Sequence, residues 1–208
     1  MQTRITPTQD FFARSRAWIA LVLLAPIAIA AVLTRPHLEF EGIAEFAVEL
    51  SAWMMFFAGG CLRWWATLFI GGRKIAELVT DGPYSMCRNP LYAGTLLMAF
   101  SVAVFLQSLT LFGAIILVGG LYLWITVPIE ERRLKAVYGD RFTAYCRRVP
   151  RLLPNPALYT APETINVRMT GIRAEFLRML QWSGVPIICY FVEHLRMLPW
   201  WPTPLSLP

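Results

Sequence analysis

Long uncharged stretches alternate with short charged stretches along this chain. The longest runs from Pro90 to Ile129 without a charged residue. As one helix it would be about 60 Å long at ~1.5 Å per residue, about twice the ~30 Å hydrocarbon core of a bilayer. It therefore predicts two membrane-crossing helices joined by a turn at Gln107–Ser108. Pro90 suits the first turn of the first helix, where its missing N–H would lack a partner anyway.

Three further apolar stretches complete the predicted bundle. The first could instead be a cleaved signal peptide, because Ala28–Ala30 resembles a cleavage site, but the spans that follow favour a retained helix. The last contains Gly184 and Pro186, so an interfacial or re-entrant helix is the alternative. We expect one all-α membrane domain, a polytopic bundle of about five transmembrane helices with cytosolic amphipathic helices. The predicted spans are residues 17–33, 46–70, 90–106, 109–128 and 180–198.

Composition and charge place this bundle in a membrane and orient it. Hydrophobic residues make up 57% of the chain and charged residues only 15%, which excludes an ordinary soluble domain. The net charge of +6 is concentrated in segments 71–92 and 129–154, which the positive-inside rule assigns to the cytoplasm. We expect an integral protein of a bacterial inner membrane, without a nucleic-acid partner, and leave its oligomeric state open. Residues 155–208 form an extension that begins as a polar linker or short helical elements.

The second basic segment also has an apolar face. Hydrophobic residues recur there at helical spacing, with a break at Gly139–Asp140, which predicts amphipathic helices on the inner membrane surface. In the second span, Arg63 stands beside Trp64 and Trp65 near the inner end. We interpret it as an arginine that extends to the interface. The recurring residues are Leu134, Val137, Tyr138, Phe142 and Tyr145.

The candidate chemistry lies at the cytoplasmic mouth of the predicted hairpin. Arg88 and Asn89 precede one leg, and Glu130 and Glu131 follow the other, so both clusters are expected at one depth. There they could bind a charged molecule while apolar material approaches from the lipid, since charges interact more strongly at the edge of a dry compartment. Alternatively, Arg88 is an ordinary cytoplasmic-side arginine and the glutamates stabilise a helix N-terminus.

Metal chemistry is not expected from the sequence. The four cysteines form no C-x-x-C pair, which argues against a zinc site or a disulfide framework. His37 and His194 are the two histidines, and both lie outside the stretches with candidate chemistry. We therefore expect neither a histidine base nor a bound metal.

Two motifs around the hairpin carry a family resemblance. "GPYSMCRNPLYAG", followed by "EERRLKAVYGDRFTAYCRRVPRLLP", resembles the isoprenylcysteine carboxyl methyltransferase and phospholipid methyltransferase family, whose pattern is G-P-Y, R-H-P-x-Y-x-G and E-E…L…G…Y…Y…P. The match covers residues 78–154. It implies an enzyme that transfers a methyl group from S-adenosylmethionine to a lipophilic acceptor, such as a prenylcysteine-type carboxylate, an isoprenoid or a phospholipid amine.

The resemblance also implies roles for individual residues. Glu130 and Glu131 would hold the ribose or amino end of the cofactor and are candidate bases for an amine or hydroxyl acceptor. Arg132 or Arg133 would lie near the acceptor. Asn89 stands where the family has histidine and cannot titrate, so a mechanism that needs an imidazole proton there fails. The cofactor pocket would be shaped by Arg88, Asn89, Pro90, Tyr92 and Gly94 and braced by Pro83 and Tyr84.

Two other functions compete with methyl transfer. The NADPH-dependent sterol-type membrane reductases have a similar hairpin, but Thr95 stands where they have glutamate and Phe142 where they have tryptophan, which favours methylation. A non-catalytic scaffold or transport subunit would need polar residues at mid-membrane. Residues 91–128 offer only Gln107 and some hydroxyl groups for that purpose.

Overall fold

The chain folds as a set of helices. The computed structural model describes residues 22–33, 42–71, 77–165, 167, 169–196, 198 and 200–201, and these contain no strand. The predicted all-α class is thus confirmed for the described residues. The helices are α1 (Val22–Leu33), α2 (Ile43–Ile70), α3 (Pro83–Met86), α4 (Pro90–Phe105), α5 (Leu109–Tyr138), α6 (Asp140–Arg148) and α7 (Met169–Arg196), with a 3₁₀ turn at Pro156–Leu158.

Two of the described helices, α2 and α5, are long and apolar enough to cross a membrane, while α1 and α4 are shorter apolar helices. The five predicted crossings therefore stay a prediction, and residues 17–21 of the first lie outside the described part. The turn between α4 and α5 forms where the sequence predicts it. Gln107 adopts a left-handed conformation with φ 48°, and the Ser108 side chain accepts a hydrogen bond from the Leu111 N–H at 3.2 Å, which caps α5.

Helix α5 does not end at Pro128, where the sequence analysis ends the hairpin. The proline removes only the helical hydrogen bond to the carbonyl of Trp124, and the helix continues to Tyr138. It ends at Gly139, whose φ of 56° suits a residue without a Cβ atom and whose N–H donates to Lys135 O at 2.8 Å. Both candidate glutamates therefore lie on the same helix as the apolar leg.

Helix α7 begins earlier than predicted. Residues 155–178 are expected to form a linker or short helical elements, yet α7 starts at Met169 and continues through Pro186. The start of α7 is held against α2 because Glu175, which is 1% exposed, pairs with Arg63 of α2 at 2.7 Å and with Arg178 at 2.8 Å. A buried charge is tolerated only when it is paired in this way.

Helix α6 covers the charged end of the α4–α5 hairpin. Phe142 and Tyr145 on its apolar face and Val149 after it are buried, and they pack with Leu78 and Tyr138. The predicted amphipathic helix is confirmed in α6, whose apolar face packs on protein, and its position on the inner membrane surface stays a prediction. A second core lies at the other end of the hairpin, where Phe105, Leu106, Leu111 and Ile115 meet Ala52 and Cys189.

Candidate active site at the mouth of the hairpin

The two polar clusters that are distant in sequence meet in the structure. Arg88 Nη1 lies 2.8 Å from Glu131 Oε1, and the Tyr92 hydroxyl donates to Glu130 Oε2 at 3.0 Å. The predicted meeting of the start of α4 with the charged part of α5 is therefore confirmed by these contacts. The roles of the individual residues stay predictions.

Arg151, which the sequence analysis treats only as part of a basic surface, completes this junction. Its Nη2 lies 2.9 Å from Glu131 Oε2, and its Nε donates to Glu131 Oε1 at 3.3 Å. Its carbonyl accepts from Asn89 Nδ2 at 2.9 Å, and the Arg88 N–H donates to Pro150 O at 2.9 Å. Both oxygens of Glu131 are thus held by guanidinium groups, and Asn89 acts as a structural donor.

The carboxylate of Glu130 is held differently. It accepts a hydrogen bond from Tyr92, and it takes part in no ion pair within the part of the chain that the structure describes. Of the two adjacent glutamates, Glu131 joins the segments of the mouth together. Glu130 is the one with room for a further hydrogen bond.

Two buried hydrogen-bond donors at the site lack a partner among the described residues. They are the Tyr84 hydroxyl and Arg88 Nε. Burial raises the pKa of Tyr84 and of Tyr145 above the usual range for tyrosine, so both hydroxyl groups keep their protons. The Tyr145 hydroxyl donates to Tyr84 O at 2.7 Å, whereas the Tyr84 hydroxyl remains available to a ligand.

The thiol of Cys87 lies between these groups and is not a nucleophile. Cys87 is fully buried, and burial raises its pKa to about 11. Since the thiolate is the reactive form of cysteine, the thiol is inert near neutral pH.

Five of the residues at the mouth line one end of a cavity of about 790 Å³, namely Tyr84, Arg88, Tyr92, Glu130 and Glu131. Such a volume is typical of small-molecule sites. Most of the remaining wall is apolar and comes largely from α1, α4 and α5, so the cavity can hold a polar group and a hydrocarbon chain together. The apolar wall includes Leu24, Leu96, Ala99, Ile115, Val118, Gly119 and Leu123.

Arg63 also lines this cavity, which corrects its interpretation as an arginine extending to the interface. Its Nε donates to Glu175 Oε1 at 2.8 Å, its Nη1 donates to the Thr95 hydroxyl and to Leu91 O, and its guanidinium carbon lies 5.1 Å from the centre of the Trp182 ring. Neither Glu175 nor Trp182 is predicted from the sequence, because Glu175 lies in the predicted linker and Trp182 in the apolar run of the predicted last span. The available signal was Arg63 itself, since a charge within an apolar stretch requires a partner.

The structure brings most, but not all, of the predicted site residues to the cavity. Pro90 and Arg133 line the cavity together with the polar residues of the mouth. Pro83 is fully buried within α3. Arg132 turns back to donate from Nε to Pro128 O at 3.2 Å. Gly94 faces α2, where a Cβ atom would lie 2.6 Å from Gly59 O, so its position serves helix packing.

Comparison with known proteins confirms the resemblance seen in the motifs. The family model described as phospholipid methyltransferase matches residues 45–141. The nickel-cobalt-cadmium resistance protein NccN of Alcaligenes xylosoxydans xylosoxydans is 29% identical over 98% of this chain and 94% of its own length. Protein-S-isoprenylcysteine O-methyltransferase B of Arabidopsis thaliana is 25% identical over 69% of this chain and 88% of its own length.

A further methyltransferase relative matches a shorter part of the chain. Methanethiol S-methyltransferase of Crocosphaera subtropica (strain ATCC 51142 / BH68) is 28% identical over 36% of this chain and 28% of its own length. No solved structure matches the chain. The family match and the two methyltransferase relatives place this chain among proteins similar to membrane-type methyltransferases.

Proposed function

We propose that this protein is an S-adenosylmethionine-dependent methyltransferase that acts at a membrane on a lipophilic acceptor. One observation carries the proposal: a single cavity joins Arg88 and Glu130 at its polar end to an apolar wall from α4 and α5. The similarity to phospholipid and isoprenylcysteine methyltransferases supports the reaction class. We further propose a bacterial inner membrane as the location, with the mouth facing the cytoplasm.

The residues at the mouth fit the cofactor that the resemblance implies. S-adenosylmethionine has a carboxylate, an ammonium group and ribose hydroxyls, and when bound it supplies a methyl group activated by its sulfonium charge. Arg88 Nε and the Tyr84 hydroxyl are buried donors without partners among the described residues, and they suit a carboxylate or another acceptor. Glu130 offers a carboxylate outside any described ion pair, which suits the ammonium group or a ribose hydroxyl.

The chain's own contribution to methyl transfer would be alignment and the exclusion of water. A displacement at a methyl carbon needs the reacting atoms in line and close together. The Arg88–Glu131–Arg151 contacts hold the start of α4, the charged part of α5 and the segment after α6 together at the mouth. A carboxylate or thiolate acceptor already carries the charge it needs. For an amine or hydroxyl, Glu130 is the candidate base, because Glu131 is fully engaged.

The apolar wall supports a lipophilic acceptor. Alkyl or isoprenoid carbon could replace water along Leu96, Ala99 and Val118 at about 25 cal/mol per Å² of buried apolar surface. A prenylcysteine-type carboxylate, an isoprenoid and a phospholipid amine all match this description. The resistance named for one relative is a cellular trait rather than a reaction, and it is compatible with methyl transfer.

Binding experiments test this function against the reductase and scaffold alternatives. Purified protein in nanodiscs should bind S-adenosylmethionine and S-adenosylhomocysteine in a calorimeter. Arg88→Ala and Glu130→Ala should each weaken binding about tenfold or more, since a hydrogen bond to a charged group contributes about 1.5–3 kcal/mol. Arg147→Ala, on the exposed side of α6, is the matched control and should bind normally.

The alternatives give different results in the same experiment. Binding of NADPH without binding of S-adenosylmethionine would indicate a reductase. Absence of binding for both molecules would indicate a scaffold. Normal binding by both Arg88→Ala and Glu130→Ala would refute the site.

A further inference from the structure

A second polar cluster lies at the end of the bundle away from the cavity. Glu49 of α2 and Glu193 and His194 of α7 each offer a ligand atom, and these atoms all lie within 4.8 Å of one another. Glu49 precedes Arg63 by 14 residues, which is about 21 Å along a helix, and Glu193 follows Glu175 by 18 residues, about 27 Å. The cluster is therefore remote from the Arg63–Glu175 ion pair beside the cavity.

Glu193 is buried and only half satisfied. Glu193 is 4% exposed. Its Oε1 accepts a hydrogen bond from Gln107 Nε2. Its Oε2 is buried without a partner among the described residues, and so is Gln107 Oε1. A buried oxygen without a hydrogen-bond partner destabilises the folded protein. A bound cation would remove that destabilisation, so these atoms point to a ligand independently of the cluster's composition.

His194 is held in the form that binds metals. Its Nδ1 lies 3.0 Å from Tyr190 O. A carbonyl oxygen only accepts, so Nδ1 carries the hydrogen and the lone pair of the neutral ring is on Nε2. Histidine ligands of metals use the same arrangement, in which the second ring nitrogen donates to a carbonyl or carboxylate. The ring is exposed, which gives an ion a way in.

The charge around the cluster is negative. Glu45 lies one turn before Glu49 on α2, and both carboxylates act electrostatically on Glu193 with the same sign. One cation, Arg196, is close, and its Nη1 donates to Leu106 O at 3.0 Å. Among the residues that the structure describes, three carboxylates and one guanidinium leave about two negative charges when the imidazole is neutral, which matches a divalent cation.

We propose that Glu49, Glu193 and His194 form a binding site for a divalent transition-metal ion of the zinc and cobalt class. A set of one imidazole nitrogen and carboxylate oxygens favours these ions over magnesium or calcium, which prefer oxygen ligands alone. No metal is predicted from the sequence, because it has no C-x-x-C pair and His194 lies outside the segments with candidate chemistry. The ligands proposed here come from two helices that are distant in sequence. The site is independent of methyl transfer.

Cobalt titration of the full-length protein in detergent tests the site. After treatment with a chelator, Co²⁺ should bind at one equivalent with visible ligand-field absorption, and Zn²⁺ should displace it while Mg²⁺ and Ca²⁺ should not. His194→Ala and Glu49→Gln should each weaken Co²⁺ binding tenfold or more, judged against the roughly 10–100-fold effects known for residues that only support metal ligands. Glu163→Gln, an exposed carboxylate before α7, should leave binding unchanged.

Several results would overturn the proposal. The first two are the absence of Co²⁺ binding at micromolar concentrations and Co²⁺ binding by both variants as tight as by the wild type. The third is an affinity for Mg²⁺ equal to that for Co²⁺. The fourth is a thiolate-to-cobalt charge-transfer band, which would place the ion on cysteine. His194 is exposed, so the His194→Ala protein should remain folded, and gel filtration checks that it does.

Discussion

The two faces of α4 are built in opposite ways. On one face α4 meets α2 at Gly94 and Gly59, where a Cβ atom added to either glycine would lie 2.6 Å from the other's carbonyl oxygen. On the other face α4 meets α5 across the cavity, where a Cβ atom on Gly119 would lie 2.9 Å from the tip of Leu96. Backbone atoms limit how closely α4 and α2 can approach each other. Between α4 and α5, the nearest atom belongs to a side chain that can move.

The comparison shows that the tight pair is not the pair joined by the hairpin turn. Small residues let the backbones of α2 and α4 pack closely, as they do between membrane helices in general. Helices α4 and α5 are instead tied at their ends, by the turn at Leu106–Ser108 and by the Arg88–Glu131 ion pair. The space left between these two ties is the cavity, and its polar end rests on the rigid α2–α4 pair.

Gly94→Val should have the largest effect on folding, because it adds side-chain atoms where α4 packs closely against α2. Overpacking costs about 1–3 kcal/mol where neighbours can move. Here the added carbons meet Gly59 O and Arg63 Cγ, the latter at 2.7 Å from the first carbon, so the cost should exceed that range. We expect little folded protein, measured as the monodisperse fraction in gel filtration and as thermal stability in detergent.

The matched control for this change is Gly120→Val. A Cβ atom on Gly120 meets nothing within 4 Å, so the same substitution should leave folded yield near that of the wild type. Equal yields for the two variants would mean that α2 and α4 are not packed as described.

Glu175→Ala should have the next largest effect, because it removes the contact by which α7 supports the rigid face. Breaking a buried ion pair costs about 3–5 kcal/mol, since the other charge is left unpaired. Arg63 would keep Thr95, Leu91 O and the Trp182 ring, so we expect about 3 kcal/mol, the lower end of that range. Thermal unfolding in detergent measures the loss.

A double variant separates the ion pair from packing. Replacing both Arg63 and Glu175 by leucine removes both charges, and such replacements are often neutral for stability. It should therefore unfold at a higher temperature than Glu175→Ala. If Glu175→Ala is as stable as the wild type, the ion pair does not hold α7 to α2.

The contacts near the hairpin were predictable from sequence, and those across the bundle were not. The run without charges, its turn at Gln107–Ser108 and the polar residues at its two ends place Arg88 and Glu131 at one depth. The partner of Arg63 could not be found in this way, because 112 residues separate it from Glu175 and no periodicity connects them. Pro128 also misleads, since proline predicts a helix end and α5 continues past it.

The different contacts of Glu130 and Glu131 could not be predicted from the sequence either. The two residues are adjacent and chemically alike in sequence. Their roles diverge because successive residues on a helix point about 100° apart, which turns Glu131 toward Arg88 and Arg151 and Glu130 toward Tyr92. The amide of Asn89 is similarly committed to Arg151 O, which only the structure reveals.

Gly119→Val should have the smallest effect on the fold and a selective effect on function, because it changes the open face of α4. The new side chain can displace the tip of Leu96 and occupies cavity volume, so the protein should fold as the wild type does. Under the proposed function, KM for an S-isoprenylcysteine acceptor should rise about tenfold, since one misplaced methylene in an apolar pocket changes discrimination by roughly 10–200-fold. Cofactor affinity, measured by calorimetry, should not change, because the polar end is untouched. The same valine at Gly120 should alter neither quantity. A normal acceptor KM for Gly119→Val would place the hydrocarbon chain outside the α4–α5 space.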